Sequence, residues 1–70
     1  MILISDNKHH IIKDPKHIEI VEIDDLGYLI KADGVILGYS RSHDGAMYEM
    51  ARILTAMEDK ITYQVCSYLE

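Results

Sequence analysis

Seventy residues carrying twelve acidic and seven basic side chains, with a formal charge of −5, describe one small acidic domain. A chain of this size buries only about 60% of the surface that its unfolded form exposes, so self-association is an expected source of extra stability and a homodimer is the expected state. The single cysteine excludes an internal disulfide, and no CxxC or Cys/His finger spacing is present to hold a structural zinc.

The charge balance also disfavours a direct grip on nucleic acid, which needs clustered Lys and Arg, and it suits a partner protein with a basic surface. No apolar run has the length of a membrane span, and the first residues lack the basic region and the long apolar stretch of a signal peptide. A lone cysteine fits a reducing compartment, so the expected location is the cytoplasm.

In chain order, residues 1–4 form a short apolar run and read as a first strand, followed by a turn at Asp6, Asn7 and Lys8. Residues 9–13 are placed to pair back on it, with Ile11 and Ile12 on opposite faces. Asp14 and Pro15 end that segment, because proline cannot donate to a ladder. Residues 17–23 are rich in β-branched side chains but alternate imperfectly. Ile18 and Ile20 share one face, and Val21 and Ile23 share the other. Either this strand is covered on both faces, or a bulge near Val21 shifts its phase.

After a loop at Asp24, Asp25, Leu26 and Gly27 come two apolar runs, 28–32 and 35–39, separated by Asp33-Gly34. Asp-Gly supplies the two positive φ angles of a type I′ turn, so these runs form a tight hairpin with a fixed register. Tyr28, Ile30 and Ala32 then point to one face, Leu29 and Lys31 to the other. A helix follows, with Ser42 or Asp44 as its N-cap. Met47, Met50, Ala51, Leu54, Met57 and Ile61 recur at helical spacing and predict the core face, leaving Tyr48, Arg52, Thr55 and Asp59 opposite. The tail, 61–70, alternates as a final strand through Ile61, Tyr63, Val65 and Leu69. Ile61, Val65, Tyr68 and Leu69 also stay in phase with the helix, so a helical continuation is the alternative.

The predicted fold is therefore α+β: an antiparallel sheet of four to five strands with one amphipathic helix packed on one face. Few residues carry chemistry in a catalytic pattern. His9 and His10 are adjacent and in a strand point to opposite faces, and His17 and His43 lie in other elements, so they read as structural or surface side chains. Cys66 has neither a basic neighbour nor an orienting partner in sequence and reads as a small buried apolar residue. Ser40, Arg41, Ser42 and Gly45 lack a phosphate-binding pattern and read as helix capping. No catalytic residue, cofactor or metal is expected.

Two features point to binding instead. Glu19, Glu22, Asp24 and Asp25 form an acidic cluster, with Asp33 a candidate neighbour across the hairpin. A solvated edge is its plain reading, and a patch that meets a basic partner surface is its functional one. The five tyrosines are the only Phe, Tyr or Trp residues, and Tyr48 falls on the polar side of the helix, where a large amphipathic ring suits an interface. Leu29 and Ile36, on the second sheet face, would extend such a surface.

The stretch 11–54 has an order of elements that resembles two groups of small bacterial proteins. The run "DPKHIEIVEI", the hairpin "YLIKADGVILGYS" and the helix after it are similar in order and spacing to FlbD-type flagellar-operon proteins. The segment "VILGYSRSHDGAMYEMARIL" resembles small uncharacterised proteins of Firmicutes and their phages, in which a strand runs directly into a helix. The resemblance implies a small α+β protein of phage type that binds and blocks a host nucleic-acid-handling machine, in the manner of anti-CRISPR proteins. Under that reading the chain is a non-enzymatic binding module that uses Glu19, Glu22, Asp24, Asp25 and Tyr48. A dimeric regulatory or adaptor protein of flagellar or housekeeping type is one alternative. A small metal protein built on the four histidines is another.

Overall fold

The computed structural model describes residues 1–69. It is an α+β fold with the element order β1 (Ile2–Ile4), β2 (Ile11–Lys13), β3 (Ile18–Glu22), β4 (Tyr28–Ala32), β5 (Val35–Ser40), α1 (His43–Asp59) and β6 (Tyr63–Gln64). The strands do not join into one sheet of four to five. They form two sheets of three, ordered β2-β1-β6 and β3-β4-β5. The break falls at Asp14-Pro15, where the chain leaves β2 and cannot continue the ladder. Asp14 instead takes the terminal ammonium of Met1 at 2.8 Å, which holds its carboxyl below the ordinary carboxylate range.

The Asp33-Gly34 turn forms as the sequence predicts, with φ of 50° and 82° and with Ala32 paired to Val35. Both central residues are left-handed, as a type I′ turn requires. The alternative of a bulge near Val21 is not realised. β3 pairs with β4 residue for residue, and its residues 18–21 are half-buried on both faces. The bulge lies in β5 instead: Ile30 faces Gly38 while Lys31 faces Ile36, so Leu37 is the extra residue. Its free carbonyl accepts the Asp6 N–H at 2.8 Å, which fastens the β1–β2 turn to the second sheet.

Of the tail predicted as a final strand over 61–70, only Tyr63–Gln64 forms one, and residue 70 lies outside the described residues. The helix does not continue past Asp59, and the tail's role is to join the sheets. β6 runs parallel to β1, with Leu3 beside Tyr63 and Ile4 beside Gln64. The chain then crosses to β5, where Tyr68 N–H donates to the Tyr39 carbonyl and Arg41 N–H to the Tyr68 carbonyl. Gly38 makes this crossing possible, since a Cβ there would stand 2.8 Å from Val65 Cγ1. Leu3, Ile30, Leu37, Ile53 and Val65 form the buried centre and come from both sheets, the helix and the tail. Each such side chain contributes about 1.5–3 kcal/mol by leaving water.

Ser42 is the N-cap of α1, its hydroxyl accepting the Gly45 N–H at 3.0 Å. The helix ends without glycine. Lys60 takes the left-handed conformation (φ 56°), its N–H donates to Met57 O, and Ile61 N–H donates to Ala56 O. This pair of bonds is a Schellman closure, with a lysine where glycine is usual.

The buried face of α1 is not the one that the apolar spacing predicts. Ala46, Glu49, Ile53 and Ala56 are buried, with Met50 and Met57 half-buried beside them. Met47, Ala51 and Leu54 face solvent. The helix is turned by about one residue, or 100°, because Ile53 belongs to the core cluster and Glu49 is held by three hydrogen bonds from the tail. No helix among the described residues is long and apolar enough to cross a membrane.

Candidate functional site

Glu49 has no exposed surface. A carboxylate can be buried at tolerable cost only when its lone pairs are filled. Here the Tyr63 hydroxyl donates to Oε2 at 2.6 Å, the Cys66 N–H to Oε2 at 2.9 Å and the Tyr68 hydroxyl to Oε1 at 2.9 Å. All three donors come from the tail, so Glu49 is the latch that fixes residues 63–68 against the helix. Burial, reinforced by the bond to this carboxylate, pushes the Tyr63 and Tyr68 hydroxyls up to about 12.

Arg52 lies one turn further along α1 and exposed. Its Nε donates to the Tyr63 hydroxyl at 2.9 Å and one terminal nitrogen donates to the Tyr48 hydroxyl at 3.3 Å. The guanidinium carbon is 5.8 Å from the Tyr48 ring centre and 5.7 Å from that of Tyr63, within cation–π reach of both. Tyr48 is braced in turn by an edge-on contact with Tyr68, centre to centre 6.0 Å. The hydroxyl of Tyr48 first, and that of Tyr63 second, hold the arginine further above its ordinary value, so it is a permanent cation. Among the described residues it has no carboxylate within salt-bridge distance.

These side chains form the wall of an open groove of about 400 Å³. Tyr48, Arg52 and Tyr63 line it together with Ala51, Thr55, Ala56 and Ile61, of which the two alanines and Ile61 carry no polar side-chain atom. Ile61 is placed there by the Schellman closure, which sets the residue after Lys60 back against Ala56. Beside the groove the exposed side of α1 continues as Met47 and Leu54, 47% and 49% exposed.

The acidic cluster is split by the fold. Glu19 and Glu22 leave β3 on opposite faces. Glu19 is paired in register with Lys31 and lies 3.6 Å from His17 Nε2. Glu22, Asp24 and Asp25 are exposed together at the β3–β4 turn, and none forms a salt bridge among the described residues. Asp33 is at the other end of β4, where it accepts the backbone N–H groups of Lys16 and His17. It is a turn cap and no member of the acidic patch.

Tyr48 is 55% exposed and stands in the groove wall, so the one aromatic that the sequence marks for binding sits where it can make contact. Ile36 is exposed on β5 and Leu29 half-buried on β4. Cys66, expected as a buried apolar residue, is exposed: its backbone N–H is turned to the buried Glu49 carboxylate while its neighbour Val65 fills the core. No three His, Cys, Asp or Glu side chains converge on a metal-sized site among the described residues.

Sequence reasoning misses Glu49, Arg52 and Tyr63. A signal for Glu49 exists: it sits at helical spacing among Ala46, Ile53 and Ala56, the residues that would flank it on a closely packed face. Comparison of the chain with protein-family models, with curated proteins and with solved structures finds no match.

Proposed function

We propose that this chain is a non-enzymatic protein-binding module whose contact surface is the solvent side of α1 and the groove beside it. The observation that carries this reading is the exposed run of Met47, Ala51 and Leu54 next to a braced Tyr48–Arg52–Tyr63 wall. Tyrosine and arginine dominate the energetics of protein interfaces, and apolar neighbours that exclude water complete such a centre. A helix that shows methionine and leucine to water while burying a glutamate has kept those apolar residues at a cost in solubility that an interface explains.

The exposed carboxylates of Glu22, Asp24 and Asp25 support a second contact with a basic patch on the same partner. Their contribution lies mainly in the rate of encounter, since rim charges steer association more than they tighten it. Glu19, close to His17 and facing Lys31, has the smaller part in that contact. The resemblance to small phage proteins adds the finer reading, an inhibitor of a host nucleic-acid-handling protein. An exposed, unpaired Cys66 is compatible with action in a reducing cytoplasm.

The test compares capture by the wild-type chain with capture by Leu54→Glu and by the triple charge reversal of Glu22, Asp24 and Asp25 to lysine, all checked for an unchanged thermal midpoint. A partner retained by the wild type and lost with Leu54→Glu is the expected result. Equal capture by both would contradict the helix surface, and an unchanged association rate in the triple variant would remove the acidic contact. If mass measurement shows a dimer that Leu54→Glu converts to monomer, the same surface belongs to the homodimer.

A further inference from the structure

We infer that the groove between α1 and the tail recognises a carboxylate carried beside a bulky apolar side chain on a partner polypeptide, with Arg52 as the group that reads the charge. The inference rests on the binding-module reading and names the chemistry of its central contact.

Arg52 has five N–H donors, and two are occupied by the tyrosine hydroxyls. Both of those donors go to neutral hydroxyl oxygens, so the charge itself has no counter-ion among the described residues. The remaining donors are left for an acceptor from outside. A planar guanidinium with two parallel N–H groups matches a carboxylate in shape and charge. Its orientation is already fixed. Tyr63 ties Nε to the buried Glu49 through one hydroxyl, and Tyr48 ties the other edge. Little side-chain freedom therefore remains to be lost on binding.

The rest of the groove is apolar. Ala51, Ala56 and Ile61 offer no polar side-chain atom, and Thr55 already donates its hydroxyl to the Ala51 carbonyl at 2.9 Å. A ligand group lying there is selected for apolar character, while the one next to Arg52 is selected for negative charge. The groove's openness favours a polypeptide over a small free acid. Small-molecule sites enclose roughly 70–90% of their ligand, whereas this groove is open to solvent, and Leu54 and Met47 stand exposed outside its lining on the same helix, where a longer chain would gain further contact.

The experiment is a titration of the isotope-labelled protein, followed by NMR at the backbone amides and at the Arg52 Nε–H. The probes are an N-acetylated tripeptide ending in leucine with a free carboxylate, the same peptide as its amide, and hexanoate. The expected result is saturable shifts at residues 51–56 and 61–63 and at the Arg52 side chain with the acid peptide, and binding about 10- to 100-fold weaker with the amide. Arg52→Gln should weaken the acid peptide by the same factor, and Arg41→Gln, which changes the other arginine, should leave it unaltered. The Nε–H signal of the wild type keeps the test decisive even if Arg52→Gln fails to fold. Equal binding of acid and amide, or no saturable shift at Arg52, would overturn the inference. Hexanoate binding as tightly as the peptide would overturn the polypeptide assignment, and dilution-dependent shifts at the same amides without peptide would give the groove to a second copy of the chain. Loss of partner capture with Leu54→Glu, combined with silence toward the peptide, would spare the binding surface and remove only this ligand class.

Discussion

The two sides of α1 carry their residues in opposite senses. Its inward side holds Ala46, Glu49, Ile53 and Ala56, and its outward side holds Met47, Ala51 and Leu54. Hydrophobic burial alone would turn the helix so that methionine and leucine face the sheets. The arrangement found is stable because the tail supplies Glu49 with donors and because small alanines at 46 and 56 let the helix approach closely. The inward side is thus built for structure, including its only charge. The outward side, free of any structural duty, can be shaped by what it touches.

If that division holds, substitutions on the two sides separate stability from binding. Ile53→Ala should show the largest effect, about 2–5 kcal/mol of unfolding free energy, because it leaves a cavity at the junction of helix and sheets. Chemical denaturation would measure it. Glu49→Ala should follow at about 3 kcal/mol, since two tyrosine hydroxyls and one backbone N–H lose their acceptor. In that variant, hydrogen exchange should rise first at residues 63–68, ahead of α1.

The same latch has a pH signature. Tyr63 and Tyr68 are pushed up to about 12, above their unfolded value near 10. Raised tyrosine values mean that the unfolded chain loses these protons first as pH rises. Their stabilisation is therefore complete below about pH 10 and is lost between about 10 and 12. Phenolate absorbance should show two of the five tyrosines titrating late, and Glu49→Ala should bring them back toward the ordinary value.

Lys60→Gly should stabilise the chain by about 1 kcal/mol by relieving a left-handed lysine, without moving Ile61. The smallest change in stability belongs to the outward side: Leu54→Glu should shift unfolding by no more than about 0.5 kcal/mol while abolishing partner capture. A large loss of stability from Leu54→Glu would erase the distinction between the two sides.

The hairpin at Asp33-Gly34, the cap at Ser42 and the α+β class were legible because each depends on local chemistry: a positive φ, a side-chain acceptor, an alternating run. The division into two sheets was not. It depends on β6 pairing with β1 some sixty residues away in sequence, and a two-residue strand leaves no periodic trace. The phase of α1 was misread for a related reason. Spacing counts apolar residues, and Met47, Ala51 and Leu54 extend the stripe of Met50 and Met57, whereas Glu49 interrupts the true inward stripe. Of the groove, only Tyr48 was legible. Arg52 and Tyr63 become partners through the tail's path over the helix, which no window of sequence contains.

The most direct test is methyl NMR with a soluble paramagnetic agent, recorded on the free protein and on its complex with the captured partner. The account expects the Met47 and Leu54 methyls to broaden strongly in the free protein and to be shielded in the complex, with Ile53 unaffected in both. Leu54 methyls still broadened in the complex, or Ile53 broadened in the free protein, would contradict it.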